Sequence, residues 1–331
     1  PEQVRDALDA YQQQPSESTY KDFSTASEPK RQELIRRLNH LDGATGKLVE
    51  MRKDLIAFTK ESADLAPVGV DLKNLFISWF NRGFLVLRPI NWSSPAEILE
   101  KIIAYEAVHA INSWEDLRAR LQPEDRRCFA FFHPAMPDEP LIFVEVALTK
   151  GIPNSIQGLL EPNRNPISTE EADTAVFYSI SNCQEGLAGI SFGNSLIKQV
   201  VADLSLAVPS LTTFVTLSPI PKLKSWLAKG IIPTNEKHTN KALAAYYLLN
   251  AKGTDGRPYD PVARFHLGNG AMLHAVHSDA DKSSNGINQS DGVMVNYRYD
   301  LKKIPQNHES FLSENKIAVS PEVRALSASI K

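Results

Sequence analysis

At Gly83 the chain changes texture, and no other feature constrains its fold as strongly. Before that point, Leu34, Ile35, Leu38, Leu41, Leu48, Met51, Leu55 and Ile56 recur at three- and four-residue steps with charged residues between them. That is the pattern of amphipathic helix. Asp42-Gly43 breaks the run and Ala66-Pro67-Val68-Gly69 ends it, so residues 1–78 are expected to form short antiparallel helices, the last running from Asp71 through Trp79-Phe80. After Gly83 come stretches rich in aromatic and β-branched residues, at 84–90, 129–132, 141–148, 174–180 and 213–217, which predict strands. Helical patterns at 96–107, 114–121, 194–206 and 240–249 fall between and after them, and 278–292 reads as a polar loop. The expected class is α+β, with an all-helical domain over 1–78 and a mixed sheet with packed helices over 79–331.

Composition narrows the partners. Across 331 residues, 36 Lys and Arg stand against 39 Asp and Glu, a net charge of −3. Nucleic acid and membrane surfaces call for a basic excess, so neither is expected. Apolar runs such as Pro140-Leu-Ile-Phe-Val144 fall far short of the roughly 20 residues that span a bilayer. Cys128 and Cys183 are too few for a disulfide framework, so a reducing, cytoplasmic setting is expected. Pro1 is not a natural start, which leaves open a targeting segment ahead of it.

Three segments carry candidate chemistry. Gly186, Gly189 and Gly193 lie in a loop between a strand and a helix. Glycines let backbone approach a ligand, and a helix N-terminus offers amides to a phosphate; the alternative is a strand-to-helix turn without a ligand. The spacing is neither a Walker A loop nor a dinucleotide fingerprint. In Thr216-Leu-Ser-Pro-Ile-Pro-Lys222, two prolines stiffen the chain after Ser218. Ser218 either faces a ligand from a strand end or satisfies its own turn. In Phe265-His-Leu-Gly-Asn-Gly-Ala271, His266 could exchange a proton near neutral pH or be a satisfied core ring. His274 and His277 lack partners at metal-ligand spacing, so no metal is expected. The proline-rich stretch 132–140 reads as a loop between two strands, and Asn296-Tyr-Arg-Tyr299 as a strand end with hydrogen-bonding side chains. Cys183 reads as a small hydrophobe.

Taken in order, several segments resemble malonyl-CoA decarboxylase over about residues 34–326. They are Leu41-Asp-Gly-Ala-Thr-Gly-Lys-Leu-Val-Glu-Met-Arg-Lys-Asp-Leu55, Ser78-Trp-Phe-Asn-Arg-Gly-Phe-Leu85, Asp138-Glu-Pro-Leu141 with Glu145-Val-Ala-Leu-Thr149, Phe177-Tyr-Ser-Ile-Ser181, Leu217-Ser-Pro-Ile-Pro221, Asp260-Pro-Val-Ala-Arg-Phe-His-Leu-Gly-Asn-Gly-Ala271 and Asn296-Tyr-Arg-Tyr299. The resemblance implies a helical oligomerisation domain, giving a dimer or tetramer, ahead of an acetyltransferase-like (GNAT-type) catalytic domain. It implies conversion of malonyl-CoA to acetyl-CoA and carbon dioxide with no metal or prosthetic group, coenzyme A being part of the substrate. By motif, the catalytic serine falls on Ser218, the histidine on His266 and a supporting tyrosine on Tyr299. The CoA-binding loop falls on Ala188, Gly189, Ile190, Ser191, Phe192, Gly193 and Asn194. In the family's scheme the serine meets the malonyl carboxylate and the histidine protonates the α-carbon.

Two departures accompany the resemblance. Animal members carry a glutamate where this chain has Ser191, and their segment between the serine and histidine motifs is much longer, so the chain looks like a compact bacterial form. A CoA-dependent acyltransferase and a catalytically silent CoA-binding protein are the alternatives compatible with such a fold.

Overall fold

A computed structural model describes residues 2–190, 193–230 and 238–330. The chain divides into two compact units. The first comprises Pro1–Phe84 together with Pro134–Met136 and Gln184–Ser191, and the second Leu85–His133, Pro137–Cys183 and Phe192–Lys331.

The first unit is built on five helices, α1 (Glu2–Gln13), α2 (Glu17–Ser27), α3 (Lys30–Leu38), α4 (Ala44–Phe58) and α5 (Ala66–Trp79). Ser16 and Thr19 form a reciprocal capping box that starts α2. Gly43 takes a left-handed φ of 69° between α3 and α4, so the Asp42-Gly43 break is a turn that favours glycine. Ala66-Pro67-Val68-Gly69 does not end a helix, as its composition suggested; it opens α5. Proline at a first turn gives up an amide that has no intrahelical acceptor anyway, and its fixed φ suits the helix. Ile35, Leu48, Val49, Leu72, Leu75 and Phe76 are buried, and Asp71 binds the side chains of Arg31 and Gln32, tying α5 to α3. Leu34 and Leu41, on the same apolar pattern, remain 58% and 65% exposed.

The second unit contains β1 (Val86–Ile90), α6 (Ala96–Tyr105), α7 (Trp114–Leu121), β2 (Arg126–His133), β3 (Met136–Thr149), α8 (Ile156–Leu160), β4 (Thr174–Asn182), α9 (Gly193–Ala207), β5 (Thr213–Thr216), β6 (Ser218–Pro219), α10 (Leu223–Leu227), α11 (Asn240–Asn250), α12 (Pro261–Gly268), β7 (Met272–His277), α13 (Ser284–Ser290), β8 (Met294–Arg298), α14 (Ile304–Glu314) and α15 (Pro321–Ala328). Its sheet runs β1-β2-β3-β4-β5-β8-β6, with β7 also on β8. The β4–β5 pair is parallel, whereas β3–β4, β5–β8 and β7–β8 are antiparallel. This is the expected mixed sheet with packed helices. Ile98, Leu99 and Ile102 of α6 and Leu117 and Leu121 of α7 pack with Cys128, Phe132 and Phe143 of the sheet.

Two expectations about this unit fail. The proline-rich stretch 132–140 is mostly strand, because β3 begins at Met136 and carries Pro137 and Pro140. Its register with β4 starts only at Ile142, so neither proline removes a donor from that ladder. The polar stretch 278–292 holds α13, which Ser283 caps by accepting the Gly286 amide.

Candidate active site

Ser218 and His266 stand 48 residues apart in sequence and meet in space. The parallel pairing of β4 and β5 stops at Phe177 and Thr216, and the next amide, that of Leu217, still donates to the Phe177 carbonyl. Ser218 follows at the start of β6, paired with Val295 of β8. His266 lies in the last turn of α12, a helix started by Asp260, whose carboxylate accepts the Val262 and Ala263 amides, and by Pro261. Tyr299 follows β8 and is held there by its amide, which donates to the Phe214 carbonyl.

These elements assemble a hydrogen-bonded row. The Tyr299 hydroxyl is 2.8 Å from Nδ1 of His266, and Nε2 of that ring is 3.3 Å from Oγ of Ser218. The Ser218 hydroxyl donates to Oγ1 of Thr216 at 2.8 Å. Oγ1 of Thr216 also accepts the Tyr297 amide at 3.1 Å, while the Asn296 side-chain amide donates to the Thr216 carbonyl at 2.6 Å. The Tyr297 ring stacks on His266 at 4.6 Å between centroids. His266 is 3% exposed, and burial lowers its pKa to about 3, so the ring is neutral. Burial likewise pushes the Tyr299 hydroxyl well above its ordinary value. A cavity of about 360 Å³ opens on the row, with Ser218 and His266 in its lining beside Val108, Ile142, Phe177 and Phe265. A neutral, oriented imidazole in a mostly apolar cavity can deliver or accept one proton.

Thr216, Asn296 and Tyr297 lie in the segments 216–222 and 296–299 that the sequence singles out, but no role falls on them there. Thr216 and Tyr297 read as ordinary strand residues, and only their junction with Ser218 and His266 gives them this place. Glu106 is a further unforeseen residue: its carboxylate accepts the hydroxyls of Ser179 and Ser181 and the amides of Val108 and His109. It thereby anchors the loop that brings Val108 to the cavity.

Of the proposed CoA loop, Ser191 and Phe192 lie outside the described residues, as do the side chains of Gly193 and Asn194, whose backbone begins α9. Ala188, Gly189 and Ile190 belong to the helical unit. There Arg52 of α4 donates to the carbonyls of Gly186 and Ala188. A Cβ on Gly186 would sit 2.0 Å from the Val49 carbonyl oxygen, so only glycine allows this approach. Gly189 adopts φ +76°, and Nζ of Lys73 lies beside it. The amides of Ala188 and Ile190 donate to the carbonyls of Glu185 and Leu187 and so are committed inside the turn. His277 is engaged with Asn296, and among the described residues no three His, Cys, Asp or Glu side chains cluster as metal ligands. Cys183 is buried in the core with Cys128. No helix among the described residues is long and apolar enough to cross a membrane.

The profile of the malonyl-CoA decarboxylase C-terminal domain matches residues 83–240 and 234–331, and that of the N-terminal domain matches residues 1–80. The chain belongs to the malonyl-CoA decarboxylase family. It is by that membership an enzyme, a carboxy-lyase. The mitochondrial malonyl-CoA decarboxylase of Anser anser anser is 35% identical over 350 residues, covering 89% of this chain and 69% of its own length. That of Mus musculus is 35% identical over 354 residues, covering 91% and 71%. The crystal structure of malonyl-CoA decarboxylase from Rhodopseudomonas palustris matches with a TM-score of 0.90 at 49% identity, over 98% of this chain and 86% of that one. The enzyme from Agrobacterium vitis matches with a TM-score of 0.92 at 48% identity and the same coverage. The fold is therefore that of bacterial malonyl-CoA decarboxylases, helical unit included.

Proposed function

We propose that the chain decarboxylates malonyl-CoA to acetyl-CoA and carbon dioxide, with His266 as proton donor to carbon and Ser218 beside it at the malonyl group. The observation that carries this reading is the buried row Tyr299–His266–Ser218–Thr216 opening on an apolar cavity. In the reaction the bond between the α-carbon and the carboxylate breaks, its electron pair enters the thioester as an enolate, and carbon dioxide leaves. The α-carbon then takes a proton, so each turnover consumes one. Burial keeps His266 neutral. A malonyl carboxylate beside the ring favours its charged form, so the ring takes up a second proton before Nε2 gives its own to carbon, and no imidazolate forms. Ser218 holds the Nε2 edge at the cavity and Tyr299 holds the opposite edge. The apolar lining favours the dispersed charge of the enolate over the localised carboxylate. No group beyond these side chains and the substrate's own coenzyme A enters the scheme.

The segment from Ala188 through Gly189, Ile190, Ser191, Phe192 and Gly193 to Asn194 is assigned to the CoA pyrophosphate, a role that the dipole at the start of α9 supports. The helical unit is assigned to self-association.

The decisive measurement is acetyl-CoA release from malonyl-CoA by the purified chain without amine or metal. His266→Ala and Ser218→Ala are each expected to lower kcat by about 10²- to 10⁴-fold. Full activity in the double variant would sink the assignment, and turnover that requires an added amine would make the chain an acyltransferase instead.

A further inference from the structure

Ser218 Oγ has one hydrogen and two polar neighbours. It donates that hydrogen to Oγ1 of Thr216, at 2.8 Å, and therefore meets Nε2 of His266, at 3.3 Å, only as an acceptor. Nε2 must then carry a hydrogen. In a neutral ring that leaves Nδ1 bare, and the neighbour of Nδ1 is the Tyr299 hydroxyl at 2.8 Å, which can donate to it. With Thr216 accepting, the row runs in one sense: Tyr299 O–H to Nδ1, Nε2–H to Ser218, and Ser218 O–H to Thr216. The opposite sense, with Ser218 donating to Nε2 and Nδ1–H donating to Tyr299, requires Thr216 to become the donor to Ser218, the reverse of the direction this pair takes.

Thr216 is well fixed for this task. Its side chain is fully buried, and its Oγ1 is pinned by the Tyr297 amide at 3.1 Å. The Asn296 amide holds its carbonyl, and Tyr297 in turn stacks on the imidazole. We propose that Thr216 is a positioning residue which, by taking the Ser218 proton, sets His266 as the Nε2–H tautomer and so keeps a transferable hydrogen on the nitrogen that faces the cavity. This rests on the decarboxylase reading for its purpose, though not for its geometry. The backbone of β5 and β8 would thereby fix the direction of a proton two side chains away.

The test is ¹⁵N NMR of the full chain labelled at histidine, with the His266 signals identified by their absence in His266→Ala, alongside steady-state kinetics on malonyl-CoA. The wild type is expected to show Nε2–H. Thr216→Val frees the Ser218 hydroxyl to donate to Nε2, so the ring is expected to convert to Nδ1–H while kcat falls about a hundredfold at unchanged KM. Thr216→Ser keeps the acceptor oxygen and is expected to restore both the tautomer and kcat. Tyr299→Phe leaves Thr216 in charge and is expected to retain Nε2–H. A wild-type Nδ1–H ring, a folded Thr216→Val protein still at Nε2–H, or a Tyr299→Phe protein that switches tautomer would each overturn the proposal. Should Thr216→Val fail to fold, the wild type and Tyr299→Phe spectra still decide it. Full activity of His266→Ala would instead defeat the decarboxylase assignment, and the tautomer spectra would judge Thr216 independently.

Discussion

His266 is enclosed by Phe265, Tyr297 and Tyr299, and burial takes its pKa to about 3. In the unfolded chain a histidine titrates near 6.5. As pH falls through 6.5 the unfolded state binds a proton that the folded state refuses, so stability is lost progressively between about 6.5 and 3 and no further below that. The loss attributable to this one ring is about 5 kcal/mol at most. His266→Gln removes the titrating group, and its acid-denaturation curve, followed by tryptophan fluorescence, is expected to be flatter over that window with a midpoint at lower pH. A steeper curve in the variant would show that the ring is charged when folded. At this scale the sequence was most legible where a residue type is unusual for its surroundings: a histidine inside an apolar helix end, a serine before two prolines. Thr216 and Tyr297 were opaque for the opposite reason. Each fits a strand pattern so well that burial explains it, and their polar atoms acquire a role only through contacts about 80 residues apart.

The bulge between Glu145 and Val146 in β3 places a carboxylate in the core. Glu145 is fully buried and pairs with Arg120 of α7 at 3.0 Å, while Arg120 also donates to the Ala110 carbonyl. Burial pushes the Glu145 carboxyl up to about 7, against the downward pull of Arg120. This pair fastens α7 to the sheet beside the loop that Glu106 anchors. Glu145→Ala leaves the arginine buried without its partner and is expected to cost about 3–5 kcal/mol in urea denaturation. Glu145→Gln keeps an acceptor for Arg120 and is expected to cost much less; equal losses would show that packing rather than pairing holds α7. Strand and helix identities were legible because periodicity reports burial. The boundaries that failed turn on position: Pro67 starts α5, and Pro137 and Pro140 lie in β3 ahead of its register with β4. Composition says only that a proline is present. Which amide would have been bonded is a property of the assembled sheet.

Across the whole molecule, the fold class and the order of its parts were readable from the switch in periodicity at Gly83. The helical unit leaves Tyr20, Leu34, Leu41, Phe58 and Val70 more than half exposed. Exposed apolar side chains gathered into one patch mark an interaction surface. It motivates the proposal that this unit self-associates as a dimer or tetramer. Light scattering is expected to return two or four times the 36.7 kDa of one chain, and Leu34→Glu with Leu41→Glu to lower it; a wild-type mass of one chain would end that proposal. The helical unit is also discontinuous in sequence, since it takes in Pro134–Met136 and Gln184–Ser191. Val49 and Arg52 have been shaped around Gly186 and Ala188, which are encoded far downstream. A recombination at a single point near residue 84 would therefore give a chimera in which a foreign helix meets a native turn. The module that can be exchanged intact is a set of three gene segments, and lineages that shuffle only the first inherit a mismatch at Gly186.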